Sequence, residues 1–242
     1  MNTTVLLVSL ATFASTLIGG LFALRLSDRL HLILGFSSGA VLGVALFDLI
    51  PEAIALAGTR YSVQVTMGTL AAGFLLYMVL DRAIVMHTHM GAESLHTPRR
   101  GALGAGSLSV HSFLDGLSIG LAFQVSASVG AVVAIAVLVH DFSDGINTIG
   151  LILKNRGGDR TAFRWLIADA VAPIAGAAST LVFRLERPTL GLTLAAFAGF
   201  FLYIGASDLL PESYHEHPTV WTTVLTVLGA LTMYVAVRLV SG

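Results

Sequence analysis

Two hexads carry the residues best suited to chemistry: His111-Ser112-Phe113-Leu114-Asp115-Gly116 and His140-Asp141-Phe142-Ser143-Asp144-Gly145. Each places an imidazole and a carboxylate four residues apart. On an α-helix, residues i and i+4 share a face about one turn apart. Each hexad therefore presents one nitrogen and one oxygen ligand side by side. Two such helices facing each other would offer His111, Asp115, His140 and Asp144 to one cation, with bonds of about 2.0–2.2 Å for an ion such as zinc. The same donor set suits iron, manganese, cobalt and cadmium. Each ionisable group at membrane depth costs about 2.5–3.5 kcal/mol on insertion scales and marks a pathway or site. The plainer reading is that the two pairs satisfy each other without metal. A repeated pattern at matched depth is hard to explain as packing alone.

The neighbours of the hexads extend the candidate set. Asp141 follows His140 and points about 100° around the helix. It would serve as a further ligand, as an acceptor orienting a histidine, or as a contact to another helix. Ser112 holds the matching place in the first hexad. Ser118 and Asn147, seven residues after their histidines, stay on the hexad face, where they line a path or pack. Asp48, Glu52, Asp208 and Glu212 read as cation attractors at two mouths, or as ordinary helix-end polarity. Asp169 has only Arg164 and Arg160 within helical reach, so a pathway role competes with a structural ion pair.

The elements that must position these residues are membrane spans. The chain has 242 residues, 55% hydrophobic and 11% charged, with a mean hydropathy of +0.85. Soluble domains carry about 25% charged residues. A span needs about 20 apolar residues, and eight such segments run approximately 4–26, 31–57, 63–86, 102–125, 129–153, 161–184, 189–212 and 218–240. The expected fold class is an all-α integral membrane protein, a single eight-span unit over 1–242, with a His-containing loop at 87–100. There is no cysteine, which excludes disulfides and thiolate metal sites. The net charge of −1 argues against a nucleic-acid partner. Met1-Asn2-Thr3-Thr4 lacks the positive start of a signal peptide, so the first segment reads as a retained span.

Charge sets the orientation. Nine Lys and Arg residues fall on the odd-to-even turns and four on the opposite side, which puts the odd-to-even turns in the cytoplasm and both termini outside. His31, His87, His89, His96, His215 and His217 all fall on the cytoplasmic side. Of these, His87, His89, His96, His215 and His217 would receive released metal, or are simply tolerated in loops. A second repeat bears on mechanism. Asp48-Leu49-Ile50-Pro51-Glu52 closes span 2, and Asp208-Leu209-Leu210-Pro211-Glu212 closes span 7. These spans run in opposite senses, so the string sits at opposite faces. Inverted repeats predict that pattern and are common in transporters that bind substrate near the midplane. Spans 1–3 would mirror 6–8 around the hexad spans, a 3+2+3 inverted-repeat organisation.

With these motifs the chain resembles the ZIP (Zrt-, Irt-like protein) family of divalent metal-ion transporters, in its compact bacterial form. Eight spans, external termini, a His-bearing loop after span 3 and paired motifs on spans 4 and 5 all match. The family motif HNxPEG on span 4 stands here as HSFLDG, and HExPEG on span 5 as HDFSDG. Asp115 and Asp144 replace Glu, Leu114 and Ser143 replace Pro, and Ser112 replaces Asn. Many members carry a Glu just before a span-6 Pro for a second metal; here Ala172 precedes Pro173. The resemblance implies a primary site at His111, Asp115, His140, Asp141 and Asp144, and joint movement of spans 1, 4, 5 and 6 against the rest.

The expected function is transport of a divalent transition metal, zinc foremost, toward the cytoplasm. The metal is substrate, no organic cofactor is expected, and the chain is not expected to be an enzyme. Its partners are metal ions and the lipid of the inner (cell) membrane, with a homodimer as a candidate assembly. A membrane-embedded metal-dependent hydrolase would use the same ligands to activate water, but there is no HExxH. A metal-sensing membrane protein would not need carboxylates along the whole path.

Overall fold

Every secondary-structure element among the described residues is helical, as eight apolar segments and short polar turns require. The computed structural model describes residues 2–23, 30–89, 98–215 and 219–241. The helices are α1 (Asn2–Ala23), α2 (Leu30–Val44), α3 (Ile50–Ala57), α4 (Val63–His89), α5 (Pro98–Val125), α6 (Ala127–Lys154), α7 (Asp159–Ser179), α8 (Arg187–Tyr203), α9 (Leu210–His215) and α10 (Val220–Ser241). Among the described residues, seven stretches are long and apolar enough to cross a membrane, including His31–Ala57 and Arg187–Tyr214. The chain is an all-α integral membrane protein. Leu7, Leu76, Val79, Trp221 and Leu239 are each more than half exposed, an apolar surface that suits lipid rather than water.

The segment expected at 161–184 differs most. Its helix, α7, runs Asp159–Ser179 and is not among the seven. Asp159, Arg160, Arg164 and Asp169 dilute its apolar character. Its 21 residues still measure about 31 Å at 1.5 Å per residue. It ends early because Thr180 turns back, its hydroxyl donating to the Ala177 carbonyl. The loop expected at 87–100 is shorter than read: α4 continues to His89 and α5 starts at Pro98, a residue tolerated in a first turn because its missing N–H would be unpaired there. Pro218, expected to start the last helix, lies outside the described residues.

Spans 2 and 7 are not plain helices. α2 passes into α3 through a π turn, Ala45–Leu49, and α8 passes into α9 through another, Ile204–Leu209. The Ile50 N–H reaches back to Ala45 O, and the Leu210 N–H to Gly205 O. The cause is the proline one residue further on. Pro51 and Pro211 cannot donate, and their rings crowd the carbonyl four residues earlier, so the turn widens. Asp48 therefore does not sit at a helix end, as the sequence suggested. It lies buried in a π turn with two more turns of helix after it.

The helices form two sets. α1 packs on α6 and α7, and α5 on α6 and α7; α2 packs on α10, and α3 and α4 pack on α8. Four close pairs share one device. In each, two glycines face each other, and a Cβ on either would strike the carbonyl oxygen three residues before its partner. Gly19 meets Phe142 O while Gly145 meets Thr16 O; Gly176 meets Phe113 O while Gly116 meets Pro173 O. Gly39 meets Thr226 O while Gly229 meets Phe36 O; Gly199 meets Leu70 O while Gly73 meets Ala196 O. Without side chains in the way, the backbones approach closely.

Candidate metal centre

The hexads occupy matching registers. His111 lies thirteen residues after Pro98, the first residue of α5, and His140 thirteen after Ala127, the first of α6. α5 and α6 pack together. Ser126 starts α6 by accepting the Val129 N–H on its hydroxyl. At its other end Arg156, at φ 61°, closes the helix as the Gly157 N–H donates to Ile152 O.

Four predicted ligands come together. One donor atom from each of His111, Asp115, His140 and Asp144 lies within 4.8 Å of all the others, and all four residues are buried. His111 Nε2 is 3.2 Å from Asp115 Oδ2 and 3.5 Å from Asp144 Oδ2. His140 Nε2 is 3.3 Å from Asp115 Oδ2 and 3.9 Å from Asp144 Oδ2. Four ligands at about 2.1 Å around a tetrahedral ion stand about 3.4 Å apart, so these spacings suit one small divalent cation.

The histidines are aimed from behind. His140 Nδ1 is 2.9 Å from Ala136 O. A carbonyl only accepts, so Nδ1 carries a proton, and whenever the ring is neutral its Nε2 lone pair faces the carboxylates. Lone pair against carboxylate is repulsive unless a proton or a metal ion lies between them. His111 Nδ1 is 2.7 Å from the Tyr77 hydroxyl on α4, and the His111 and His140 ring centroids are 5.6 Å apart.

The remaining candidates scatter. Asp141 is fully buried, its Oδ1 is 4.0 Å from His140 Nε2, and neither carboxylate oxygen accepts a hydrogen bond. Asp169 accepts from Ser112 Oγ at 2.7 Å and from Thr148 Oγ1 at 2.8 Å. It thus ties α7 to both hexad helices, and its contacts are hydroxyls rather than the arginines considered from the sequence. Ser118 is buried and donates to Asp115 O, while Asn147 is half-buried. Asp48 is buried with Oδ2 unbonded, Glu52 is half-buried and Glu212 exposed. The side chains of Asp208, His87, His89, His96, His215 and His217 lie outside the described residues.

Three contributors escaped the sequence reading. Tyr77 lay in an apolar span with nothing to link it to His111. Thr148 is four residues after Asp144, but threonine in a span ordinarily bonds its own helix. Ser143, read only as a missing proline, faces Ser37 on α2 with the oxygens 3.1 Å apart.

A family model described as ZIP zinc transporter matches residues 87–236, which include both hexads and all of α5 to α9. The chain belongs to the ZIP zinc-transporter family. Zinc transporter ZupT of Corynebacterium aurimucosum is 27% identical over 227 residues, covering 84% of this chain and 85% of its own. Zinc transporter ZIP13 of Pongo abelii is 24% identical over 201 residues, 78% of this chain and 60% of its own. Zinc transporter foi of Drosophila melanogaster is 25% identical over 122 residues, 50% of this chain. The chain therefore spans 17% of foi and 60% of ZIP13, but most of ZupT. These ZIP relatives are named as transporters, not as enzymes. Against the ZIP pattern, the Ser112–Asp169–Thr148 network is what this chain builds beside the position where many members place a span-6 Glu.

Proposed function

We propose that the protein carries a divalent transition-metal ion, zinc foremost, across the bilayer toward the cytoplasm. His111, Asp115, His140 and Asp144 bind the ion near the midplane, and Asp141 supplies a further carboxylate. The supporting observation is the set of four buried donor atoms within 4.8 Å of one another, two from each hexad helix. A divalent ion replaces the protons that otherwise separate the imidazole lone pairs from the carboxylates. Glu52 toward one mouth and Glu212 toward the other raise the local cation concentration, while Asp48 and Asp208, each in a π turn, supply carboxylates further along the path. Zinc accumulation in sealed vesicles containing the purified chain, above that of protein-free vesicles, tests the proposal; equal accumulation would sink it.

Alternating access follows from inverted symmetry, with spans 1–3 mirroring 6–8. The reciprocal glycine contacts support this reading: exchanging span 1 with 6, 2 with 7, 3 with 8 and 4 with 5 turns each of the four pairs into another. Under that exchange Asp48, nine residues after Gly39, becomes Asp208, nine after Gly199, and each lies in a π turn. The set α1, α5, α6 and α7 then shifts against α2, α3, α4, α8, α9 and α10.

Orientation has its own test. The nine-to-four Lys/Arg bias places the turn holding Glu93 in the cytoplasm and Thr59 outside. Because the chain has no cysteine, Glu93→Cys and Thr59→Cys need no background removal. An impermeant thiol reagent should label Thr59→Cys in intact cells and Glu93→Cys only after lysis. The opposite pattern would reverse both the topology and the direction of transport.

A further inference from the structure

The two histidine ligands are held by different kinds of partner. His140 is oriented by Ala136 O, one turn earlier on its own helix. That bond travels with α6 wherever α6 goes. His111 is oriented by the hydroxyl of Tyr77, which belongs to α4 in the other set of helices. The Tyr77 ring is itself fixed by its neighbours: centroids lie 5.6 Å from Phe200 and 5.5 Å from Tyr203 on α8. Tyr203 in turn donates to Asp81 Oδ2 at 2.8 Å, one turn beyond Tyr77 on α4.

We infer that Tyr77 is a positioning residue that makes His111 a conditional ligand, aimed at the ion only while α5 lies against α4. With the proton of His111 on Nδ1 and donated to the Tyr77 oxygen, Nε2 faces Asp115 and Asp144 as a lone pair. A hydroxyl, unlike a carbonyl, both donates and accepts, so it also bonds the other tautomer when the ion has gone. Displacement of α5 along α4 breaks the bond, frees the ring to rotate, and leaves the ion held by His140 and the carboxylates. Release is thereby tied to the movement between the two sets of helices. This rests on the transport reading for its purpose, but its test is a binding measurement.

Tyr77→Phe keeps the ring and removes only the hydroxyl. Zinc affinity of the purified chain, read by competition with a chelating dye, should fall about 10–100-fold, the usual effect of losing a partner that orients a metal-binding histidine. In vesicle flux the KM should rise by that factor with the maximal rate within about two-fold, the signature of lost binding rather than lost turnover. A purely structural role would instead lower the amount of folded protein and the maximal rate together. In a His111→Ala background the hydroxyl has nothing to orient, so Tyr77→Phe should cost no further affinity. Unchanged zinc affinity in Tyr77→Phe, or a loss that adds in full to that of His111→Ala, would overturn the inference. Hydroxyl-dependent zinc binding without any zinc flux would instead defeat the transport reading and leave the role of Tyr77 standing.

Discussion

Replacing His111 or Asp144 with alanine is expected to abolish zinc uptake at micromolar zinc while the protein still inserts and folds. Each substitution removes one of the four buried donors that lie within 4.8 Å of one another. Losing an outer partner of a ligand costs about 10–100-fold in metal affinity, so losing the ligand itself should exceed that range. Asp141 already supplies its carboxylate to the proposed site, and other polar neighbours are committed elsewhere. Ser112 and Thr148 are committed to Asp169, and Ala136 O to His140. Asp144→Asn separates charge from shape, because the amide fills the same space but offers a weaker ligand; it should fail nearly as completely. Proton competition gives a second signature. Imidazole and carboxylate bind metal only when deprotonated, so uptake should fall as the medium is acidified from neutral. Wild-type uptake in folded His111→Ala/Asp144→Ala protein, or a rate indifferent to acidification, would remove the central site from the mechanism.

The clustering of His111, Asp115, His140 and Asp144 was legible because helical spacing is rigid. A histidine and an aspartate four residues apart, inside an apolar run too long for anything but a span, have one shared face to occupy. Two copies near the middle of adjacent antiparallel spans had little choice but to meet. Spans were legible for a similar reason, since apolar length is read directly. The exception was α7. Its charges mark a helix held by other protein surfaces, and Asp169 proves to be bonded to two neighbouring helices. What orients the histidines was not legible. The Tyr77–His111 contact joins residues 34 positions apart, across helices whose faces no periodicity aligns. The repeated DLxPE strings were seen, but their structural consequence was misjudged. Carboxylates near a proline suggested a helix end, whereas each proline widens one turn and lets the helix continue, which carries Asp48 into the interior.

The glycines that follow the two aspartates should prove as sensitive as the ligands, but through packing. A methyl group on Gly145 would collide with the Thr16 carbonyl oxygen and the Gly20 nitrogen, and one on Gly116 with the carbonyl oxygen, carbon and Cα of Pro173. These are backbone atoms of a neighbouring helix, so no side-chain rotation relieves the clash. The helices must separate, and overpacking of this kind costs about 1–3 kcal/mol, or on the order of 5 °C in melting temperature for a chain of this size. Gly150 supplies the contrast on the same helix as Gly145. Nothing lies within 4 Å of a Cβ built there, and alanine is about 1 kcal/mol better than glycine inside a helix. Gly150→Ala should therefore melt at or above the wild-type temperature, while Gly145→Ala and Gly116→Ala melt lower in the same detergent. The damage should also reach the metal. Asp144 and Asp115 each precede the altered glycine by one residue, so parting α6 from α1, or α5 from α7, shifts a carboxylate among donors spaced 3.2–3.9 Å apart. Zinc should then protect Gly145→Ala against heat less than it protects the wild type, because stabilisation by a ligand grows only with its affinity for the folded state. If Gly145→Ala melts with the wild type and gains as much from zinc, the close approach of α1 and α6 is not what holds Asp144 in place.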